Sequence, residues 1–487
     1  MHKILFASSE AYPLIKTGGL ADVSASLPAA LTALGNQVRV LVPGYPQALD
    51  VIKKSFGRRR IAQLTIGTTA VTLWQTPVKN ADITFWVAEC SAFSTRSGNP
   101  YTDENDRDWS DNAERFHLFC ELTRRLALGD VGLRWQPDVV HCNDWPTALA
   151  PALLHGHSNR PATVFTIHNL AYQGLFPAET RHELGLPETF WHMHSLEFYG
   201  QLSFIKGGLI YADRLTTVSP SYAGEIRTEQ HGCGLDGVLR DRGEHLSGIL
   251  NGVHQADWDP GTDPHLPANY HADDLRNKAR CKQNLVRELR LDVGREEQPL
   301  VGFIGRLVEQ KGIDLIVEIL PWLIAQGCRV ALLGSGTPEL EQRLDALARQ
   351  HPGQVSLTLT YDEALAHRIT AGVDLFMMPS RFEPCGLNQM YSLLYGTPPV
   401  VHSIGGLKDT VFDADEFPMD QANGFSFNEP TPESFLQALR RALNLYQDPA
   451  HWQRLQVNGM KVDYSWQHSA RAYMDVYDSA LEQRRAP

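Results

Sequence analysis

The chain has 487 residues, 43% hydrophobic and 21% charged, with 44 basic against 56 acidic side chains and a formal net charge of −12. That length exceeds one ordinary core and, at roughly 150 residues per domain, predicts two to four domains. The composition excludes a disordered chain, and the acidic balance argues against a generic nucleic-acid binder, whose footprint is basic.

Seven cysteines (Cys90, Cys120, Cys142, Cys233, Cys281, Cys328, Cys385) are scattered with no C-x-x-C pair, a pattern of reduced thiols in a cytoplasm. Met1-His2-Lys3 runs straight into a short strand without a signal peptide's apolar stretch. No apolar run approaches the roughly 20 residues of a membrane span. The expectation is a cytoplasmic protein without nucleic-acid or membrane partners; oligomeric state is not legible.

In chain order, Lys3–Ser8 reads as a first strand and Ala21–Leu34 as a first helix, with Leu27, Leu31 and Leu34 at helical spacing and Gly35 as its stop. Between them stands Lys16-Thr17-Gly18-Gly19-Leu20-Ala21-Asp22. Helix N-terminal N–H groups attract anions, and glycine lets a ligand approach the backbone. The segment reads as a phosphate cradle or, alternatively, a tight Gly-Gly turn with a solvated lysine. Further strands are expected at Gln37–Val42, Ile83–Ala88, Asp138–His141, Thr163–Ile167 and Arg214–Val218. Their nearly unbroken hydrophobicity, with helices between, predicts a parallel sheet covered on both faces.

A polar stretch from about 254 to 298, with Pro260, Pro264 and Pro267, reads as a linker and entry helix. The strand pattern restarts at Leu300–Gly305 and continues through Arg329–Leu333, Leu375–Met378 and Pro399–Val401. Gly-Gly-Leu-x-Asp occurs in both halves, at Gly18–Asp22 and Gly405–Asp409. The expected architecture is α/β, two Rossmann-like doubly wound domains facing a deep cleft. Expected boundaries are 1–253, 254–462 and a C-terminal helix over 463–487 packing back on the first domain.

Three clusters follow predicted strands, where open sheets place ligands. Gly305-Arg306-Leu307-Val308-Glu309-Gln310-Lys311-Gly312 holds an R-x4-K pair able to grip a diphosphate, or else two solvated cations. Ser380-Arg381-Phe382-Glu383-Pro384-Cys385-Gly386-Leu387-Asn388-Gln389-Met390-Tyr391 is expected to open a helix, with Glu383 either accepting sugar hydroxyls or favouring the helix dipole. Cys385 has no nearby base and reads as a small apolar filler. His168 follows a buried strand, and Asp144 with Trp145 offers a carboxylate and a sugar-stacking ring. The pairs His155/His157 and His192/His194 lack further ligands at metal spacing. Gly334-Ser335-Gly336 lacks the third glycine of a dinucleotide fingerprint.

KTGGLADV, HNLAYQG, ILNGV, GRLVEQKG and SRFEPCGL, in this order over essentially the whole chain, resemble bacterial glycogen synthases and plant starch synthases. The resemblance implies a GT-B fold and a retaining, metal-free glucosyltransferase with no cofactor. It implies transfer of glucose from ADP-glucose to the nonreducing 4-hydroxyl of an α-1,4-glucan such as glycogen. Carried over, Lys16 contacts the donor diphosphate with Gly18 and Gly19 lining it, and Arg306 and Lys311 neutralise the leaving ADP. Glu383 stands at the transferred glucose, lined by Cys385, Gly386 and Leu387, and His168 stands beside the reacting carbon. Asp22, Tyr101, Asp144 and Asn251 match further cleft positions, and Tyr361 resembles an aromatic near the adenine. Where many retaining relatives carry E-x7-E, Glu383 is followed by Tyr391.

No carboxylate in these motifs is placed as a nucleophile for double displacement. The expected mechanism is front-face displacement, with the leaving phosphate oxygen taking the acceptor proton. Alternatives are a phosphorylase of similar architecture, which would need pyridoxal phosphate on a lysine, and a non-catalytic glucan-binding protein.

Overall fold

The computed structural model describes residues 1–78, 81–96, 98–105, 107–294 and 297–485. Residues 79–80, 97, 106, 295–296 (within the polar stretch) and 486–487 (within the expected C-terminal helix) lie outside the described residues. The chain forms two compact units: Met1–Gly252 together with the chain from Trp466 onward, and Val253–Ser465.

In the first unit the strands are β1 (Lys3–Ala7), β2 (Gln37–Pro43), β3 (Arg59–Ile66), β4 (Thr69–Val78), β5 (Ala81–Glu89), β6 (Val139–Asn143), β7 (Ala162–Ile167), β8 (Leu175–Pro177), β9 (Glu197–Phe198), β10 (Gln201–Ser203), β11 (Arg214–Thr217) and β12 (Leu246–Gly248). Nine of them make one sheet in the order β12-β11-β7-β6-β1-β2-β5-β4-β3. From β12 to β5 neighbours are parallel. The apolar runs explain this: Ile4, Leu5, Phe6 and Ala7 are wholly buried, as a central strand covered on both faces requires.

The expectation of an all-parallel sheet is corrected at one edge, where β5, β4 and β3 form an antiparallel meander. Buried Val71 and Leu73 alternate with half-buried Thr72 and Trp74, so β4 is packed on one face and lacks a parallel strand's continuous hydrophobicity. Gly67, at φ +56°, supplies the left-handed residue of the tight turn between Ile66 and Thr69. β8, β10 and β9 form a separate antiparallel sheet. The first helix runs Gly19–Ala33, two residues earlier than expected, and Gly35 at φ +89° terminates it.

The helix Trp466–Arg485 belongs to this unit. Its Tyr477 hydroxyl lies 2.8 Å from Nδ1 of buried His141, whose Nε2 is 2.6 Å from Thr166 Oγ1. Burial pushes His141 down to about 3, so the ring is neutral.

The second unit has a six-stranded parallel sheet: β13 (Leu300–Ile304), β14 (Arg329–Leu333), β15 (Val355–Thr358), β16 (Leu375–Met378), β17 (Pro399–His402) and β18 (Phe425–Phe427). Their order is β15-β14-β13-β16-β17-β18. β15 and β18 escaped the sequence reading because edge strands of three or four residues carry little periodic signal.

The polar stretch after residue 254 holds the expected entry helix, at Arg276–Glu288, but its first part belongs to the second unit and does not act as a linker. Trp258 is stacked between His367 and Tyr391, with ring centroids 3.8 Å apart on each side. Buried Asp263 accepts from Tyr395 Oη at 2.6 Å and lies 2.7 Å from His367 Nδ1. The segment is polar because its polar groups are paired inside the unit, which composition alone does not distinguish from solvation.

Candidate active site

Each large sheet changes winding direction once. In the first unit this happens between β1 and β6, and in the second between β13 and β16. Ligands of doubly wound sheets bind outside the carboxyl ends of strands at such points.

Past β1 the chain turns through residues 8–18. Buried Glu10 organises this loop: its carboxylate accepts from Thr17 N at 2.5 Å, Thr17 Oγ1 at 2.7 Å and Tyr101 Oη at 2.6 Å. Burial, with Glu10 alongside, pushes the Tyr101 phenol well above its ordinary range, so it remains a donor. Thr17 is thereby fixed between Lys16 and Gly18. Lys16 Nζ meets Asp22 Oδ1 at 2.9 Å in the first turn of the helix. Gly18 is the N-cap, extended at φ −158° and without a side-chain cap bond. A Cβ built on Gly18 or Gly19 meets no atom within 4 Å. Packing therefore gives no reason for either glycine.

Asp144, just past β6, adopts φ 55° and ψ 177°, a region reserved almost entirely for glycine and costing about 1–3 kcal/mol. Its N–H donates to Thr166 O at 3.0 Å, and its carbonyl accepts from Thr147 N at 3.1 Å. The carboxylate accepts the His168 N–H at 2.7 Å. Burial pushes this carboxyl up to about 7, against the backbone donors from His168 and Asn169 and with help from nearby Glu10.

His168 Nε2 lies 2.9 Å from Asn143 Oδ1. Asn143 Nδ2 donates to Ala7 O at 3.0 Å, so its Oδ1 accepts and the imidazole carries its proton on Nε2. Burial lowers His168 to about 3, which leaves a neutral ring with an acceptor at Nδ1.

Trp145 is not an open stacking platform. Its ring packs against Tyr101, Phe116, Phe176 and Phe204, and a Cβ on Gly174 would lie 2.5 Å from it. Asn251, past β12, is buried, and its Oδ1 has no hydrogen-bond partner among the described residues.

In the second unit the loops past β13 and β16 are stitched together. Gly312, at φ +70°, brings them into contact, since a Cβ there would lie 2.1 Å from Pro379 O. Gln310 accepts from Arg306 at 3.2 Å, donates to Phe382 O at 3.3 Å, and its carbonyl accepts Arg381 N at 2.8 Å. Arg381 forks Asp314 at 2.7 and 2.6 Å. Within this frame Lys311 Nζ pairs with Glu383 Oε2, which also accepts from Ser380 Oγ at 3.1 Å.

The cluster opens a helix as expected, at Asn388–Leu394 with Leu387 as N-cap, but Glu383 lies ahead of it and outside its first turn. The helix-dipole explanation of Glu383 therefore fails, and its partner is Lys311. Arg306 is exposed beside the pair, whereas Cys385 is buried in the loop and Gly386 turns at φ +73°. Tyr361, 76% exposed, stands past β15 at the same sheet end, two strands from β13. The glycines of Gly334-Ser335-Gly336 serve packing: Cβ atoms there would lie 1.8 Å from Gly305 O and 2.1 Å from Leu307 O.

The two Gly-Gly-Leu-x-Asp strings both begin helices but differ in use. The second pair is crowded, with Cβ positions 2.0 Å from Glu383 O and from Cys385 O, whereas the first is open. Among the described residues no three His, Cys, Asp or Glu side chains are grouped to hold one metal ion. Glu10, Asn143, Gln310 and Ser380 were not singled out by the sequence reading. Glu10 and Asn143 carried a usable signal, a polar side chain at the carboxyl end of a buried strand.

A family model for the starch synthase catalytic domain matches residues 3–241, and one for group 1 glycosyl transferases matches residues 287–456. The chain is 54% identical over 482 residues to a glycogen synthase of Marinobacter nauticus, covering 99% of this chain and 98% of the relative. It is 54% identical to that of Cellvibrio japonicus, covering 98% and 99%. The catalytic domain of starch synthase IV from Arabidopsis thaliana, solved with ADP and acarbose, superposes with a TM-score of 0.87 at 33% identity over 99% of each chain. Sucrose-phosphate synthase from Thermosynechococcus elongatus shares the fold, with a TM-score of 0.60 at 17% identity and 98% of each chain covered.

Proposed function

The chain belongs to the glycogen and starch synthase family, glycosyltransferases of the GT-B fold, and from that premise we propose that it is a cytoplasmic glycogen synthase using ADP-glucose. It transfers glucose with retention to the nonreducing 4-hydroxyl of an α-1,4-glucan and releases ADP. The observation that carries this reading is the Lys311–Glu383 pair, with Arg306 alongside, at the β13/β16 switch point. That the starch synthase neighbour was solved with ADP supports the choice of leaving group.

Arg306 and Lys311 hold the negative charge that grows on the terminal phosphate as the glycosidic bond breaks, where preorganised donors act most strongly. Once the phosphate draws Lys311 toward it, Glu383 is released to accept sugar hydroxyls. The leaving phosphate oxygen takes the acceptor's proton, so no enzyme base is required. His168, neutral, offers Nδ1 as an acceptor for a sugar hydroxyl, and Asp144 holds the His168 backbone in place. Lys16 and the open backbone at Gly18 and Gly19 receive the donor phosphates. Asn251, its buried amide oxygen unpartnered, accepts from a ligand hydroxyl, and Tyr361 packs near the adenine.

Labelled ADP-glucose with glycogen gives labelled glucan if the assignment holds, and unlabelled UDP-glucose in tenfold excess leaves the labelling largely intact. Folded protein that labels no glucan refutes synthase activity; effective competition by UDP-glucose refutes the donor assignment.

The glycines allow a separable test. Gly18→Ala and Gly19→Ala meet no protein atom, so the fold is retained; alanine at Gly19, inside the helix, adds up to about 1 kcal/mol, whereas at the Gly18 N-cap it gives up about 0.5–1 kcal/mol. The KM for donor rises about tenfold, because the new methyl occupies space the phosphates approach. An unchanged KM removes the ligand role from this turn.

A further inference from the structure

The edge of the first unit's large sheet carries a feature that the transferase reading leaves unused. The helix Pro46–Lys53 ends, the chain reverses through Lys54-Ser55-Phe56-Gly57, and β3 begins with Arg59 and Arg60. Gly57, at φ +87°, makes the reversal tight. Phe56 stands at its apex with 97% of its surface exposed, the most exposed large hydrophobic residue among those described.

Around it lie Lys53, Lys54, Arg58, Arg59 and Arg60, five cations within eight residues of a chain whose net charge is −12. Only Lys53 among them has an acidic partner within 4 Å among the described residues, Asp50 at 3.1 Å. Arg58 lies over the Trp74 ring at 4.5 Å, and Arg59 is close enough to help depress the Arg39 guanidinium below its usual range after burial. The cations therefore repel one another on a surface that ordinary charge balance would have mixed.

Two bland explanations cover part of this. Lysines favour a helix C-terminus, and charged side chains on an edge strand discourage sheet-to-sheet pairing. Neither accounts for a phenylalanine held wholly in water at the tip. An uncharged glucan offers five clustered cations no opposite charge and so does not account for their concentration here.

We propose that this turn is a docking site for an anionic lipid surface, with Phe56 entering the interfacial region and Lys53, Lys54, Arg58, Arg59 and Arg60 meeting the headgroups. A single apex aromatic flanked by cations suits shallow insertion into a surface, and polybasic segments are drawn to anionic leaflets. Nucleic acid fits less well: single strands bind along grooves with several stacking rings, and the neighbouring ring, Trp74, is already covered by Arg58. The site departs from the expectation of no membrane partner, although no described helix is long and apolar enough to span a bilayer.

The test is co-sedimentation of the full chain with vesicles of phosphatidylcholine alone or mixed equally with phosphatidylglycerol. Binding to the anionic vesicles is expected to exceed that to neutral ones at least tenfold at low salt and to collapse at high salt. Phe56→Ser lowers it several-fold while keeping the salt dependence, and the triple variant R58S/R59S/R60S abolishes it. Glucan synthesis by both variants in solution stays at the parent level, which establishes that they are folded. No preference for anionic vesicles, or binding that neither variant weakens, overturns the proposal. So does tighter binding to polyuridylate than to the vesicles, which would assign the patch to nucleic acid.

Discussion

Lys311→Ala lowers turnover by two to three orders of magnitude, about 3–4 kcal/mol of transition-state stabilisation, and weakens ADP binding measured by calorimetry. The expectation rests on the paired arrangement of Lys311 with buried Glu383. In the resting protein the ammonium neutralises a carboxylate that has left water; during reaction it is drawn to a phosphate. Removing it deletes both services, so some destabilisation accompanies the catalytic loss. Because Lys311 remains partly exposed, that share is smaller than the 3–5 kcal/mol typical of breaking a fully buried pair. K311A/E383Q recovers stability by relieving the stranded carboxylate, while turnover stays low because both groups at the pair are altered, so the stability cost alone is read from this variant. Unchanged turnover in Lys311→Ala would refute the charge-holding role, whatever the stability.

Asp144→Asn is expected to raise stability at neutral pH while leaving turnover near the parent level. The Asp144 carboxyl titrates at about 7 in the folded protein because it is buried, against about 3.9 in an unfolded chain. The native state thus holds a proton that the unfolded state has released. Stability from this group is full below about pH 4 and is lost as pH rises through 7. Relative to the parent, Asp144→Asn therefore gains about 2–3 kcal/mol between about pH 5 and pH 8, read from denaturant unfolding at each pH. The amide still accepts the His168 N–H, so the loop keeps its shape and turnover stays within about threefold of the parent. Asp144→Gly compared with Asp144→Ala isolates the backbone contribution, since both lose the His168 N–H acceptor and only glycine relieves the φ/ψ strain. Parallel stability–pH curves for parent and Asp144→Asn would show that the carboxyl is ionised in the folded protein.

The difference between these two sites explains what the sequence could reveal. Lys311 and Glu383 stood out because each follows a strongly apolar strand, and strand ends are where open sheets bind. The contact between them was beyond reach, since it depends on β13 and β16 being neighbours although 70 residues of chain intervene. The strain at Asp144 was invisible for another reason: nothing in His-Cys-Asn-Asp-Trp announces a positive φ on a non-glycine residue. Glu10 was missed because its partners, Thr17 and Tyr101, come from distant or irregular segments. The doubly wound strands were legible from unbroken hydrophobicity. The β3–β4 meander alternates instead, and the stretch after residue 254 hid a packed Trp258 behind a polar composition.

The helix Trp466–Arg485 sets an order on synthesis. Val253–Ser465 is continuous in sequence, so the second unit can complete its fold as it leaves the ribosome. The first unit, although made earlier, lacks the helix whose Tyr477 lies against His141 at the centre of its sheet. Until that helix emerges, the flank of the sheet at β6 and β7 that it covers is left without its partner. The half of the protein translated first therefore gains one of its own helices only after the second half has been made.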